Sequence, residues 1–225
     1  MFISFFFLIL PFIYSEIAPF RLGKVKTYSS LENGNHFPCL SPPFTFLAEG
    51  TQSYVFLSKD KTTVLKLFKN VENIENTFSA YKMANALPHL TGVINIHLDL
   101  EPMEHILLKD QWGRSHSLDP THTPFILQKR ADPFFKTIRN APSKERIDLI
   151  QSFYALLKEM GELGIANLDD SLGHNYGFID GKAVIIDFGK CEYAPSLVDQ
   201  REAHMIRRLN KWLKKNQINS SVLRD

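Results

Sequence analysis

The pattern of apolar and polar positions changes character once along the chain. Up to about residue 131 the apolar positions come in short runs suited to strands. From about residue 143 they recur at helical spacing. Phe44, Phe46, Tyr54-Val55-Phe56 and Val64-Leu65-Lys66-Leu67-Phe68 predict a meander of three short antiparallel strands. Gly50 stands at its first bend, and Lys59-Asp60-Lys61 supplies a polar turn. Ile74, Phe78, Tyr81 and Leu87 predict a helix over 72–87, stopped by Pro88. Strands are expected at 92–100, 105–110 and 123–131, with a turn around Trp112-Gly113.

The second half reads as helix, hairpin, helix. After Asn140-Ala141-Pro142, Ser143 is placed to cap a helix running to about Glu162, with Ile147, Ile150, Tyr154 and Leu157 on one face. A polar loop over 166–175 leads to a hairpin, 176–179 and 183–186, turned by Asp180-Gly181. A last helix is expected from about Ser196 to Asn216. Its apolar face is Val198, Met205, Ile206, Leu209, Trp212 and Leu213, and Lys211, Lys214 and Lys215 stand where the helix dipole favours cations. A basic amphipathic helix suits a membrane or partner surface, but a terminal helix packed on its own domain is the simpler expectation.

Composition narrows the class. Of 225 residues, 44% are hydrophobic and 22% charged, values that exclude disordered and fibrous chains. Lys and Arg number 26 against 24 Asp and Glu, so nothing in the charge predicts nucleic-acid binding. Two cysteines make no disulfide framework and no zinc spacing. Phe is abundant at 18, several of them within FISFFFLILPFI, residues 2–13. That run is too short for an ordinary membrane-spanning helix and has the length of a signal-peptide core. No basic residue precedes it, so a hydrophobic element packed on the domain and a misassigned start remain open. Membrane contact, if any, is expected only through residues 2–13. The compartment is accordingly open: cytoplasmic, or secreted or membrane-associated if residues 1–15 act as a signal. A linker is expected over 16–43, ending in the proline-rich GNHFPCLSPP.

The stretch LDDSLGHNYGFIDGKAVIIDFGK, residues 168–190, carries the candidate chemistry. It holds Asp170, Asn175 five residues on, and Asp187 in Asp187-Phe188-Gly189 after the hairpin. This order resembles the protein kinase-like superfamily, in which a catalytic-loop Asp precedes an Asn at that spacing and a DFG triplet follows a short hairpin. The resemblance covers about residues 44–190. It implies an α+β, two-lobed protein kinase-like fold, with a first lobe over 44–131 of antiparallel sheet plus one helix. A mainly helical, shortened second lobe would cover 132–225.

The resemblance also implies an activity and a set of roles. ATP- and Mg²⁺-dependent phosphoryl transfer needs oxygen ligands for the metal, and an Asn amide with an Asp carboxylate can supply them. Asn175 and Asp187 are the implied metal ligands. Asp170 is the implied base or orienter, but Leu168-Asp169 stands where the family has His-Arg, so Asp169 could itself be the base. Lys66 takes the position of the family's phosphate-gripping strand lysine. Its helix partner is Glu75, chosen narrowly over Glu72. Only the middle glycine, Gly50, of the three-glycine loop is kept, with Ala48 and Ser53 where the others would be. Leu127, Gln128 and Lys129 would offer the backbone edge for adenine. Beyond Gly189 no Ala-Pro-Glu marker appears. The phosphate acceptor is unknown, and a monomer is expected. The rival reading is an inactive pseudokinase serving as a nucleotide-binding or protein-interaction module.

Overall fold

The computed structural model of the chain describes residues 27–28, 39–50, 53–68, 80, 83–97, 105–110, 112–113, 115–118 and 125–218. The hydrophobic segment 2–13, Glu72, Glu75 and most of the 72–87 helix lie outside these residues. Among the described residues no helix is long and apolar enough to cross a membrane. The architecture is mixed α+β with an antiparallel-rich sheet. The chain divides into two compact units, one of Met1–Glu72 with His97–Leu127, the other of Asn73–Ile96 with Gln128–Asp225.

The first unit is built on strands β1 (Thr27–Tyr28), β2 (Cys39–Glu49), β3 (Ser53–Leu57) and β4 (Thr63–Phe68). After β5 (Val93–His97) come β6 (His105–Lys109), β7 (Ser115–Leu118) and β8 (Phe125–Lys129). The strands lie in the order β1-β7-β6-β2-β3-β4-β8. The meander β2-β3-β4 is antiparallel as expected, and Gly50 N–H closes its first bend on Ser53 O at 2.8 Å. The second turn is held by Asp60, whose carboxylate accepts from Ser58 Oγ, Thr62 N–H and Thr62 Oγ1. Side chains alternate: Phe44, Tyr54, Phe56, Leu65, Leu67, Ile106, Leu108 and Phe125 form one buried cluster, with Phe46 and Leu127 against it.

Three expectations for this unit need correction. Strand β2 begins at Cys39, inside the stretch read as linker, because Cys39 and Leu40 pair with His105 and Ile106. Pro42 and Pro43 fall where the register shifts between Leu40 and Phe44, a place where a missing N–H is tolerated. The sheet is also not wholly antiparallel, since β2 and β6 run parallel. Strand β7 was not foreseen; its Ser115-His116-Ser117 carries no alternation to announce it.

The second unit opens with helical residues at 80 and 83–86 and then a single helical turn, α1 (Pro88–Thr91). Pro88 does stop the preceding helix, and as first residue it also starts this turn, where its lost N–H costs nothing. There follow β9 (Asp132–Pro133), α2 (Phe134–Asn140), α3 (Ser143–Glu162) and β10 (Ile165–Asn167). Next are α4 (Leu172–Asn175), β11 (Tyr176–Ile179), β12 (Lys182–Ile185), β13 (Cys191–Tyr193) and α5 (Val198–Lys215). Helix α3 spans the residues expected, but Ser143 is its first helical residue and makes no capping hydrogen bond. The buried face of α3 is Leu149, Ile150, Phe153, Leu156, Leu157 and Met160, turned slightly from the face expected.

The hairpin β11-β12 is antiparallel, and β9 adds to its outer edge. Its two-residue turn needs left-handed backbone at both positions, which Asp180 (φ 51°) and Gly181 (φ 76°) provide. Four aromatic rings centre this unit. Phe134 stacks on Phe178 at 5.3 Å and meets Phe153 edge-on at 4.9 Å, and Phe153 meets Tyr176 edge-on at 5.1 Å. All four are fully buried. Helix α2, for which no element was expected, is recruited by this packing.

Candidate functional site

Two strand pairings bring the polar loops of the second unit together. In the hairpin Tyr176 faces Ile185, so the residues just outside it, Asn175 and Ile186, come opposite each other. The main-chain carbonyl of Asn175 accepts from Ile186 N–H at 2.7 Å and from Asp187 N–H at 3.4 Å. Separately, β10 pairs with β13, with Asn167 facing Cys191, and Leu168 N–H reaches Lys190 O at 3.0 Å. The loop 168–175 and the loop 186–190 are therefore tied at both ends.

Within that frame the carboxylates of Asp169 and Asp170 face different partners. Asp169 Oδ1 accepts Ser171 N–H at 2.8 Å, and its Oδ2 lies 3.2 Å from Lys190 Nζ. The Ser171 N–H first, then Lys190, hold its carboxyl below the usual carboxylate range. The Asn175 amide approaches Asp169 and acts in the same direction, although Asn175 Nδ2, buried, completes no hydrogen-bond geometry. Asp170 turns to helix α5 instead: Arg201 Nη2 donates to its Oδ1 at 2.7 Å, and His204 Nε2 lies 3.2 Å away without hydrogen-bond alignment. Arg201 also holds the Asp170 carboxyl low.

Asp187 is exposed, and its Oδ1 accepts Gly189 N–H at 3.0 Å, which folds the Asp-Phe-Gly triplet into a tight turn. Phe188 is buried. Burial, with the negative charges of Asp187 and Asp169 behind it, pushes the Cys191 thiol well above its usual range. The second unit thus gathers Asp169, Asn175 and Asp187 and leaves Asp170 on an ion pair. Among the described residues no group of three or more His, Cys, Asp or Glu is placed to hold a metal. Asn175 and Asp187 meet through the main chain here, and a pair of oxygen-bearing side chains is the number Mg²⁺ ordinarily takes from protein when phosphates and water complete its shell.

The remaining candidates belong to regular structure. Lys66 lies on β4 opposite Val55, half-buried between buried Val64 and Phe68, on the face of the strand away from Leu65 and Leu67. Gly50 holds its bend through the bond to Ser53. Leu127 packs on the first unit's cluster. Gln128 is buried and its amide donates to Thr91 O and, at 3.2 Å, to Ile185 O. Lys129 N–H donates to Gly92 O at 2.7 Å, so that donor of the expected adenine edge is engaged in the protein. Glu75 lies outside the described residues.

Sequence reasoning missed the residues that hold the loop. Asn167 is buried; its Oδ1 accepts Asp169 N–H at 2.9 Å and its Nδ2 donates to Tyr176 Oη at 3.2 Å. Arg201 Nε donates to Asn167 O at 2.7 Å. A polar residue inside the apolar run Ile165-Ala166-Asn167 was the signal available for the first; nothing local marks Arg201 among the charges of α5. No family model matches this chain, and no curated protein matches it.

Proposed function

We propose that the chain is an ATP- and Mg²⁺-dependent phosphotransferase of the protein kinase-like class, with the two-lobed fold of that class. The reading rests on one observation above others: Asp169, Asn175 and Asp187 are gathered where two tied loops meet. Asn175, through its amide oxygen, and Asp187, through its carboxylate, would hold Mg²⁺, which neutralises phosphate charge. Lys66 would contact the α- and β-phosphates, with Glu75 as its partner, and the Gly50 bend would approach them through backbone N–H groups. The edge at Leu127, Gln128 and Lys129 would face adenine through groups other than Lys129 N–H.

In the transfer itself the acceptor hydroxyl oxygen bonds to the γ-phosphorus and the bond to the bridging oxygen breaks, releasing ADP. Asp169 receives or orients the hydroxyl proton. Its depressed pKa makes it a weak base, which fits a reaction governed by positioning and charge stabilisation. Asp170 is assigned to structure, since Arg201 already occupies it. A second reading, a pseudokinase that binds nucleotide or a protein without turnover, draws on the Lys190–Asp169 ion pair and on a bend with a single glycine.

Thermal unfolding of the full chain with ATP and Mg²⁺ tests the nucleotide site. Ligand at 100 times its dissociation constant stabilises by about 2.7 kcal/mol. The expected result is a clear upward shift for the parent and none for Asp187→Ala or Lys66→Ala. A folded parent with no shift at saturating ATP would sink both readings that involve nucleotide.

A further inference from the structure

A second concave site lies in the same unit and shares no residue with Asp169, Asn175 or Asp187. It is a groove of about 850 Å³ between α2, the 171–174 segment and the end of α5. Five cationic side chains line it: Lys136 and Arg139 from α2, and Arg208, Lys211 and Lys215 from α5. All five are exposed, and no carboxylate is among its lining residues in the described part of the chain. Its floor is aromatic. Trp212 stacks on Phe135 at 4.6 Å, and the Arg139 guanidinium sits 5.7 Å from the Trp212 ring. Gly173 is fitted to that floor, for a Cβ there would come within 3.0 Å of the Phe135 ring.

The chain's net charge is only +2, so this concentration of one sign is local. A concave surface lined by one sign of charge focuses its field and draws in the opposite charge, and guanidinium and ammonium groups are the side chains that recognise phosphate. The volume falls within the range of small-molecule sites. The half-buried Phe135–Trp212 wall offers an apolar surface to a ring. Helix α5 packs on its own domain through Val198, Met205, Leu209 and Leu213, as the simpler sequence reading expects. Its basic side is left over for this groove.

We propose that the groove binds a phosphate-bearing small molecule whose ring rests on Trp212. The proposal stands apart from the phosphotransferase reading. One wall, Ser171 to His174, nevertheless joins Asp169 directly to Asn175, which places the ligand beside the loop that carries them.

The test uses the full chain carrying Trp112→Phe, so that Trp212 is the remaining tryptophan and is excited selectively over tyrosine, without ATP or divalent metal. The probes are myo-inositol hexakisphosphate, neutral myo-inositol, inorganic phosphate and phosphatidylserine vesicles. The proposal expects a saturable change in Trp212 emission with the hexakisphosphate and none with myo-inositol. Lys136→Glu and Lys211→Glu, tested singly, should each weaken binding at least tenfold, Lys211→Arg should restore it, and Asp187→Ala should leave it within twofold. No saturable change, equal affinity in a folded charge-reversed variant, or loss in Asp187→Ala would each overturn it. Inorganic phosphate binding as tightly as the hexakisphosphate would overturn the role of the ring wall. A response to vesicles alone would overturn it in favour of a membrane surface.

Discussion

The two units solve different problems with similar apolar residues. In the first, the core is a sheet face: Phe44, Phe56, Leu65, Leu67 and Ile106 interdigitate, and the candidate residue Lys66 projects from a regular strand. In the second, the aromatic cluster of Phe134, Phe153, Tyr176 and Phe178 supports loops whose conformation depends on buried polar groups. Asn167, Gln128 and Asn175 are each buried there, and the first two have their polar atoms satisfied by neighbouring chain. Apolar packing places elements, whereas polar satisfaction places individual side chains. A site needs the second, which is why the candidate chemistry gathers where the network is.

That contrast can be broken in graded steps. The largest effect is expected from Phe134→Ala, which removes a ring with four aromatic neighbours and should cost about 3–5 kcal/mol. Phe56→Ala in the first unit should cost a similar amount, and urea unfolding of the two variants compares them. If Phe134→Ala lost under 1 kcal/mol, the aromatic cluster would not be supporting the loops.

Asn167→Leu should come next, at about 1–3 kcal/mol, because it strands the Tyr176 hydroxyl in a buried position and frees Asp169 N–H. Tyr176→Phe, made together with Asn167→Leu, should add less than either change alone, since the two share one hydrogen bond. Full additivity would show that the network is not a unit.

Acid should act on the same loop. The folded carboxyls of Asp169 and Asp170 are held below the unfolded value of about 4. A depressed pKa means the folded state binds the proton less readily, so their contribution is fully present above that unfolded value. It is lost as pH falls through the lower folded values. Urea midpoints measured downward from pH 5 should fall less steeply for Asp169→Asn than for the parent. An unchanged slope would remove Ser171 and Lys190 as partners of that carboxylate. The smallest effect is expected from Asp170→Ala, at about 0–1 kcal/mol, because the Asp170 carboxylate of the pair with Arg201 is half exposed to water.

How much of this was readable beforehand follows the same division. The register of the hairpin was legible: Asp180-Gly181 dictates a two-residue turn, and counting outward from it puts Asn175 opposite Ile186. Helix α3 was legible because twenty residues of helical spacing have one solution. The parallel pairing of β2 with β6 was not, since it joins Cys39 to His105 across more than sixty residues with no local mark. Nor was the division of labour between Asp169 and Asp170. Adjacent carboxylates look alike in a sequence, and Arg201, which separates them, lies on a distant helix. Helix α2 was missed because Phe134-Phe135 favours strand locally and only the cluster around it decides otherwise.

The central claim is that Asp169, with Asn175 and Asp187, serves phosphoryl transfer while Asp170 serves structure. Release of ADP from ATP with Mg²⁺, measured for the parent, Asp169→Asn and Asp170→Asn, tests it most directly. The account predicts at least a hundredfold loss for Asp169→Asn, in the range that removing a positioned acid–base group gives, and a change within about threefold for Asp170→Asn. Loss on Asp170→Asn with activity kept in Asp169→Asn would contradict it.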